Sequence, residues 1–170
     1  AAQQPEFSGA GRYPGAIIIV PRVQTKMSPV FAKLNLKDQA EIVVINAPAS
    51  FETEISTVSA KVLRDTKHAK TIEFVIVFTL GKETLEPLAP PIGTKAKGDA
   101  IVWVAYPKST SKKYKSTIKR GDGSWNCMGE QGFEPVRMIA IDEDWSAVRF
   151  RRVEFIKSMT RPDDQRLTKR

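Results

Sequence analysis

Cysteine and histidine are almost missing from this sequence, one of each in 170 residues. A lone thiol cannot close a disulfide within the chain, which excludes a disulfide framework. Cys127 and His68 also lack the company of ligands that a structural zinc site needs. They leave little for imidazole-based acid–base or thiol chemistry. Long apolar runs are missing as well: the longest, 100–106, has seven residues, against roughly 20 for a bilayer span. No internal repeat, no extended low-complexity tract and no glycine-rich phosphate loop is visible. What remains is a basic chain of one-domain length. Its 27 Lys and Arg face 19 Asp and Glu, for a net charge of +8, and 41% of residues are apolar. That apolar share suffices for a core and excludes a wholly disordered chain. Together these features predict a cytoplasmic protein without a membrane span.

The two ends differ from the middle. Residues 1–26 mix Pro, Gly and small polar residues, and the AIIIV run is stopped by Pro21. That run is shorter than the roughly 7–15 residues of a signal-peptide core, and no basic cluster precedes it. Met27 stands just before a helix start, so 1–26 read as a leader or added segment. The competing reading makes 16–20 an extra edge strand. At the other end, 158–170 are polar, carry Pro162, and read as a mobile tail. A single α/β domain over 27–157 lies between.

Ser28-Pro29 opens a short helix, hydroxyl cap first and proline at the first helical position. Five strands are predicted from apolar runs, 41–45, 71–80, 99–106, 135–141 and 146–153, and a sixth from the alternation of Val58, Ala60 and Val62 at 58–63. Ser50 is expected to cap the helix FETEIS. A helix over 82–88 should end at Pro90-Pro91, and another over 124–131 should end at Gly132. The last two strands are joined by 142–145 only, which permits only an antiparallel hairpin. Strands alternating with helices, several apolar on both faces, predict a small Rossmann-like three-layer α/β fold. Its sheet is mostly parallel, with a C-terminal antiparallel hairpin.

Tyr106-Pro107-Lys108 at a strand end, Gly121-Asp122-Gly123-Ser124-Trp125, and the block Ile141-Asp142-Glu143-Asp144-Trp145-Ser146-Ala147-Val148-Arg149-Phe150-Arg151 form a distinctive set with VVINAP near the start. Over roughly 31–154 the chain resembles an uncharacterised bacterial family of the domain-of-unknown-function type, known by its YPK and IDxxWSAxRFR motifs. The resemblance implies a small cytosolic α/β protein and carries over no catalytic residues. The order of elements also resembles an abbreviated S-adenosylmethionine (SAM)-dependent methyltransferase with its terminal hairpin.

Ligands of open α/β sheets bind beyond the carboxyl ends of the parallel strands. That rule gathers Asn46, Thr79, Tyr106, Lys108, Ser109, Asp142, Trp145 and Ser146 on one rim as candidate ligand-binding residues. Their bland alternative is that Asn46 and Asp142 form turns while Tyr106 and Trp145 pack. The loop after the first strand, Asn46-Ala47-Pro48-Ala49-Ser50, has no glycine. Side chains and the missing Pro48 donor therefore hinder backbone approach to a pyrophosphate. Asp65 stands 19 residues beyond Asn46, near the usual place of a ribose-binding acid, or is an exposed turn residue. No motif identifies a cofactor or a metal.

The segment Lys108–Arg120 holds six cations and no acid. It is either an anion-gripping loop, for a phosphorylated small molecule or a nucleic-acid backbone, or a solvated one. Arg149 and Arg151 share one face of the last strand, where they pair with Glu134 or Glu154 or bind an anion. The expectation is a noncatalytic domain that binds a small anionic ligand or a partner. The alternatives are a degenerate SAM-dependent methyltransferase-like enzyme and a weak nucleic-acid binder.

Overall fold

The computed structural model describes residues 26–119 and 121–168. Apart from Lys26, the expected leader lies outside them, as does the strand alternative at 16–20. Six strands form one sheet: β1 (Glu41–Ile45), β2 (Lys61–Leu63), β3 (Ile72–Phe78), β4 (Ala96–Pro107), β5 (Phe133–Ala140) and β6 (Trp145–Arg152). They lie in the order β2-β1-β3-β4-β6-β5. β2, β1, β3 and β4 run parallel, while β6 is antiparallel to both β4 and β5. The fold is Rossmann-like and three-layered, closing on an antiparallel hairpin.

The central strands are apolar in both phases of their period-2 alternation, so each feeds two cores. Val43, Val75, Val77, Val102 and Val104 face one side. There they meet Leu85 of α3 (Lys82–Leu85), Ile92 of α4 (Ala89–Lys95) and Met128 of α5 (Asn126–Glu130). Ile42, Phe74, Ile76, Phe78 and Trp103 face the other side. They pack on Phe31 of α1 (Pro29–Lys33), on Phe51, and on Ile55 of α2 (Glu52–Ile55). Trp103 Nε1 donates to the Leu34 carbonyl at 2.8 Å, tying α1 to the sheet. Ser28 Oγ caps α1 by accepting from Phe31 N.

Several expectations need correction. Ser50 caps nothing: it lies inside a 3-10 turn, Ala49–Phe51, that follows Pro48 and leads into α2 without a side-chain cap. Pro90 and Pro91 do not end a helix but open α4. In a first turn a missing N–H loses no intrahelical bond. β2 is shorter than expected and β4 longer, reaching back to Ala96. Residues 161–168, expected in a mobile tail, lie against the domain. Arg161 pairs with Glu134 at 3.1 Å, and the Thr168 backbone N–H and hydroxyl both donate to Glu134 Oε1 at 2.7 Å. Glu134 is wholly buried, so this strap supplies the partners a buried carboxylate requires.

Candidate functional site

The carboxyl edge of the parallel strands is crowded with internal contacts. After β1, Asn46 adopts a left-handed φ of 58°, a conformation Asn tolerates better than most residues. The chain then turns through Pro48 and buries Phe51 against Phe31 and Phe78, with ring centroids 5.4 and 4.9 Å apart. Glu52 and Arg64 form a bidentate ion pair, both bonds 2.8 Å, joining the first turn of α2 to the end of β2. Arg64 holds the Glu52 carboxyl below its ordinary value, chiefly by hydrogen bonding. Asp65 accepts from the His68 backbone and ring, which lower its pKa, and both residues are exposed.

Beyond β3, Thr79 is buried and satisfied by Gly81, to whose carbonyl it donates at 2.6 Å. The basic loop after β4 folds back over this edge, where Thr117 N donates to the Leu80 carbonyl at 2.9 Å. Tyr114 packs on Trp145, and Trp145 packs edge-on to Phe78. Trp145 Nε1 is buried without a hydrogen-bond partner.

The expected ligand-binding residues do not converge. Asn46 and Ser109 are exposed. Asp142 Oδ1 accepts from the backbone of Asp144 and Trp145, both at 2.8 Å, as a turn former does. Lys108 Nζ donates to the Asp142 carbonyl at 2.5 Å. Trp145 belongs to the core packed on α1 and α2, whereas Tyr106 packs against the opposite core. Ser146 is the cross-strand partner of Tyr106 and shares its face. One-residue steps along β4 and β6 thus send Tyr106 and Ser146 away from Trp145.

Tyr106 instead borders a groove of about 1390 Å³ on the α5 side of the sheet, under the strap. Trp125 stacks edge-on to Tyr106 at 5.6 Å and to Phe150 at 5.5 Å. Met138, Pro135 and Leu167 continue the apolar lining, and Arg161 stands at the strap. Lys119, Arg137 and Arg166 bring positive charge, opposed by Asp122, Glu130 and Asp164. Burial raises the Tyr106 pKa, keeping the phenol protonated, and its hydroxyl lies 3.5 Å from Met138 Sδ. None of the three cavities mapped among the described residues is lined by 46–51.

Of the groove residues, only Tyr106 was among the candidates named from sequence; Trp125, Met138, Arg161 and Leu167 were not. Their only signal was Leu167, an apolar residue in an otherwise polar terminal stretch. Cys127 is a free, buried thiol whose pKa is raised chiefly by burial, as expected of a small core residue. Among the described residues no cluster of His, Cys, Asp and Glu has the makings of a metal site. Nor is any helix there long and apolar enough to cross a membrane.

No protein-family model matches the chain, and no curated protein matches its sequence. Solved structures match its fold. A SAM dependent methyltransferase from Aquifex aeolicus aligns with a TM-score of 0.51 at 11% identity, over 73% of this chain and 88% of that one. The N-methyltransferase NodS from Bradyrhizobium japonicum WM9 aligns at 0.46 and 10% identity, over 71% and 91% of the two chains. Magnesium protoporphyrin IX methyltransferase from Synechocystis PCC 6803 aligns at 0.43 and 9%, over 72% and 74%. The likeness is one of fold.

Proposed function

We propose that this chain is a degenerate methyltransferase-like domain that binds a small anionic ligand or a partner and does not transfer methyl groups. The loop after β1 carries this reading. In doubly wound folds a nucleotide-type cofactor approaches the carboxyl edge through glycines, which let the backbone come close. Here Ala47 and Ala49 carry Cβ atoms and Pro48 offers no N–H. Phe51 fills the space beside Phe78, and the Glu52–Arg64 pair ties the first turn of α2 to the end of β2. These residues do not fit SAM. The groove beside Tyr106 supports a binding role, because it offers aromatic faces together with Lys119 and Arg166.

A second reading, an active SAM-dependent enzyme, is favoured by the methyltransferase-like fold and by Asp65, which follows β2 where a ribose-binding acid belongs. Calorimetry on the full chain separates the two. We expect no heat on titrating SAM. Micromolar binding that is lost in Asp65→Asn would overturn the argument that the loop after β1 excludes SAM and favour the enzyme. A thermal-shift panel of phosphates, nucleotides and acidic metabolites tests the binding role. We expect stabilisation by at least one compound, weakened in Trp125→Ala; a flat panel would remove that role.

A further inference from the structure

The guanidinium of Arg149 is poorly accounted for by its surroundings. It lies on β6 directly across from Trp103 of β4 and from Arg137 of β5. Like charges facing each other across a strand pair are destabilising, so an Arg opposite an Arg calls for a counter-charge. Asp99 supplies one, but to Arg151, which grips it through Nε at 2.7 Å and Nη2 at 2.5 Å. Glu134, one of the two expected partners, is held by Arg161 and Thr168. Arg149 Nε is buried and has no hydrogen-bond partner. Burial and the neighbouring Arg151 and Arg137 disfavour its charge, and Asp99 alone supports it. Arg137 is exposed and has no ionic partner among the described residues.

The juxtaposition is built into the chain path. The register of β5 slips between Pro135 and Arg137, and that irregularity sets Arg137, instead of Val136, opposite Arg149. Irregularities of this kind re-aim side chains and recur beside functional sites. Three guanidiniums against one carboxylate leave a local excess of two positive charges on neighbouring strands β5 and β6. A buried polar group without a partner calls for an explanation such as an ion, and planar guanidinium forks match phosphate oxygens.

We propose that Arg149 and Arg137, steadied by the Arg151–Asp99 pair, form a site for a dianionic phosphate group of a small molecule. Arg149 provides the oriented fork and Arg137 closes on the outer oxygens from the edge strand. The site lies apart from the carboxyl edge of the sheet, shares Arg137 with the border of the Tyr106 groove, and does not depend on the noncatalytic reading.

The test is an NMR titration of the full chain with inorganic phosphate, phenyl phosphate and dimethyl phosphate at constant ionic strength, observing arginine Nε–Hε resonances. Saturable shifts of the Arg149 resonance with the two dianions are expected, with dimethyl phosphate at least tenfold weaker. Arg149→Lys keeps the charge but loses the fork and should weaken phosphate about tenfold. The exposed Arg137→Gln should weaken it about fivefold, while leaving Tm unchanged or raised without phosphate, because a repulsion is relieved. Arg137→Gln also guards against an Arg149 variant that folds poorly. Linear, unsaturable shifts, phosphate affinity unaltered in Arg137→Gln, or a lower phosphate-free Tm in that variant would each overturn the site. Equal binding of dimethyl phosphate would overturn the small-dianion assignment in favour of a diester backbone.

Discussion

Glu134 shows how much a single buried residue can govern. Its carboxylate is shielded from water and meets the Arg161 guanidinium, the Thr168 amide and the Thr168 hydroxyl. Arg161→Ala removes the cation and leaves a buried charge under-compensated, at a cost of about 3–5 kcal/mol. Glu134→Gln removes the charge and keeps an acceptor, and should cost less, about 1–3 kcal/mol. Urea midpoints of the two variants check the order. Phe51→Ala empties a buried site between Phe31 and Phe78. It should cost about 3–5 kcal/mol, read the same way. The Arg151 hydrogen bonds hold the Asp99 carboxyl below its ordinary value. A carboxyl lowered by folding stabilises fully above its unfolded value, and that contribution fades as pH falls through the lowered one. Both side chains are about one-third exposed, so the effect is about 0.5 kcal/mol at most. Asp99→Asn should therefore lose stability at pH 6 and little at pH 2.5, measured by denaturant melts at each pH.

Among the elements, α5 and the strap that lies on it depend on one small residue. A Cβ at Gly129 would stand 2.5 Å from both the side chain and the carbonyl oxygen of Leu167. The carbonyl belongs to backbone and cannot simply swing aside. Gly129→Ala should therefore lift the strap even though alanine favours the helix. Limited proteolysis is expected to cut near 158–168 faster in this variant, with the sheet amides still protected from exchange. The strands were legible because β1, β3 and β4 are apolar in both phases, and the short 142–145 link allowed only a hairpin. Proline was misread at α4, since Pro90-Pro91 looks alike before a helix and after one. The strap was misread because its anchors are polar: Arg161 and Thr168 are fixed by Glu134, a partner some 30 residues away in sequence. The rim residues were named from topology alone, which gives the edge of the sheet but not the face. Tyr106 and Trp145 consequently part company.

At the scale of the whole molecule, two cores share one sheet, and β1, β3 and β4 carry side chains into both. Neither core can melt without exposing the other, so thermal unfolding followed at Trp103 and at the strap-facing Trp125 should superimpose as one transition. Lagging of one probe would show two independent units. The net charge of +8 gives any affinity for nucleic acid a steep salt dependence; filter binding at 20 and 200 mM salt measures it. The sheet also has two open borders, and these bear on how the protein survives at high concentration. β2 offers three residues to a neighbouring chain. β5 is longer and leaves Val136 and Met138 exposed, the composition of a sticky ribbon. Pro135 removes a donor from that border, the slipped register twists it, Arg137 sets a charge between the two apolar side chains, and Arg161 covers the Pro135 carbonyl. Each feature discourages strand-to-strand growth between molecules. The irregularity that brings two arginines face to face is thus also a guard against fibril-like self-association.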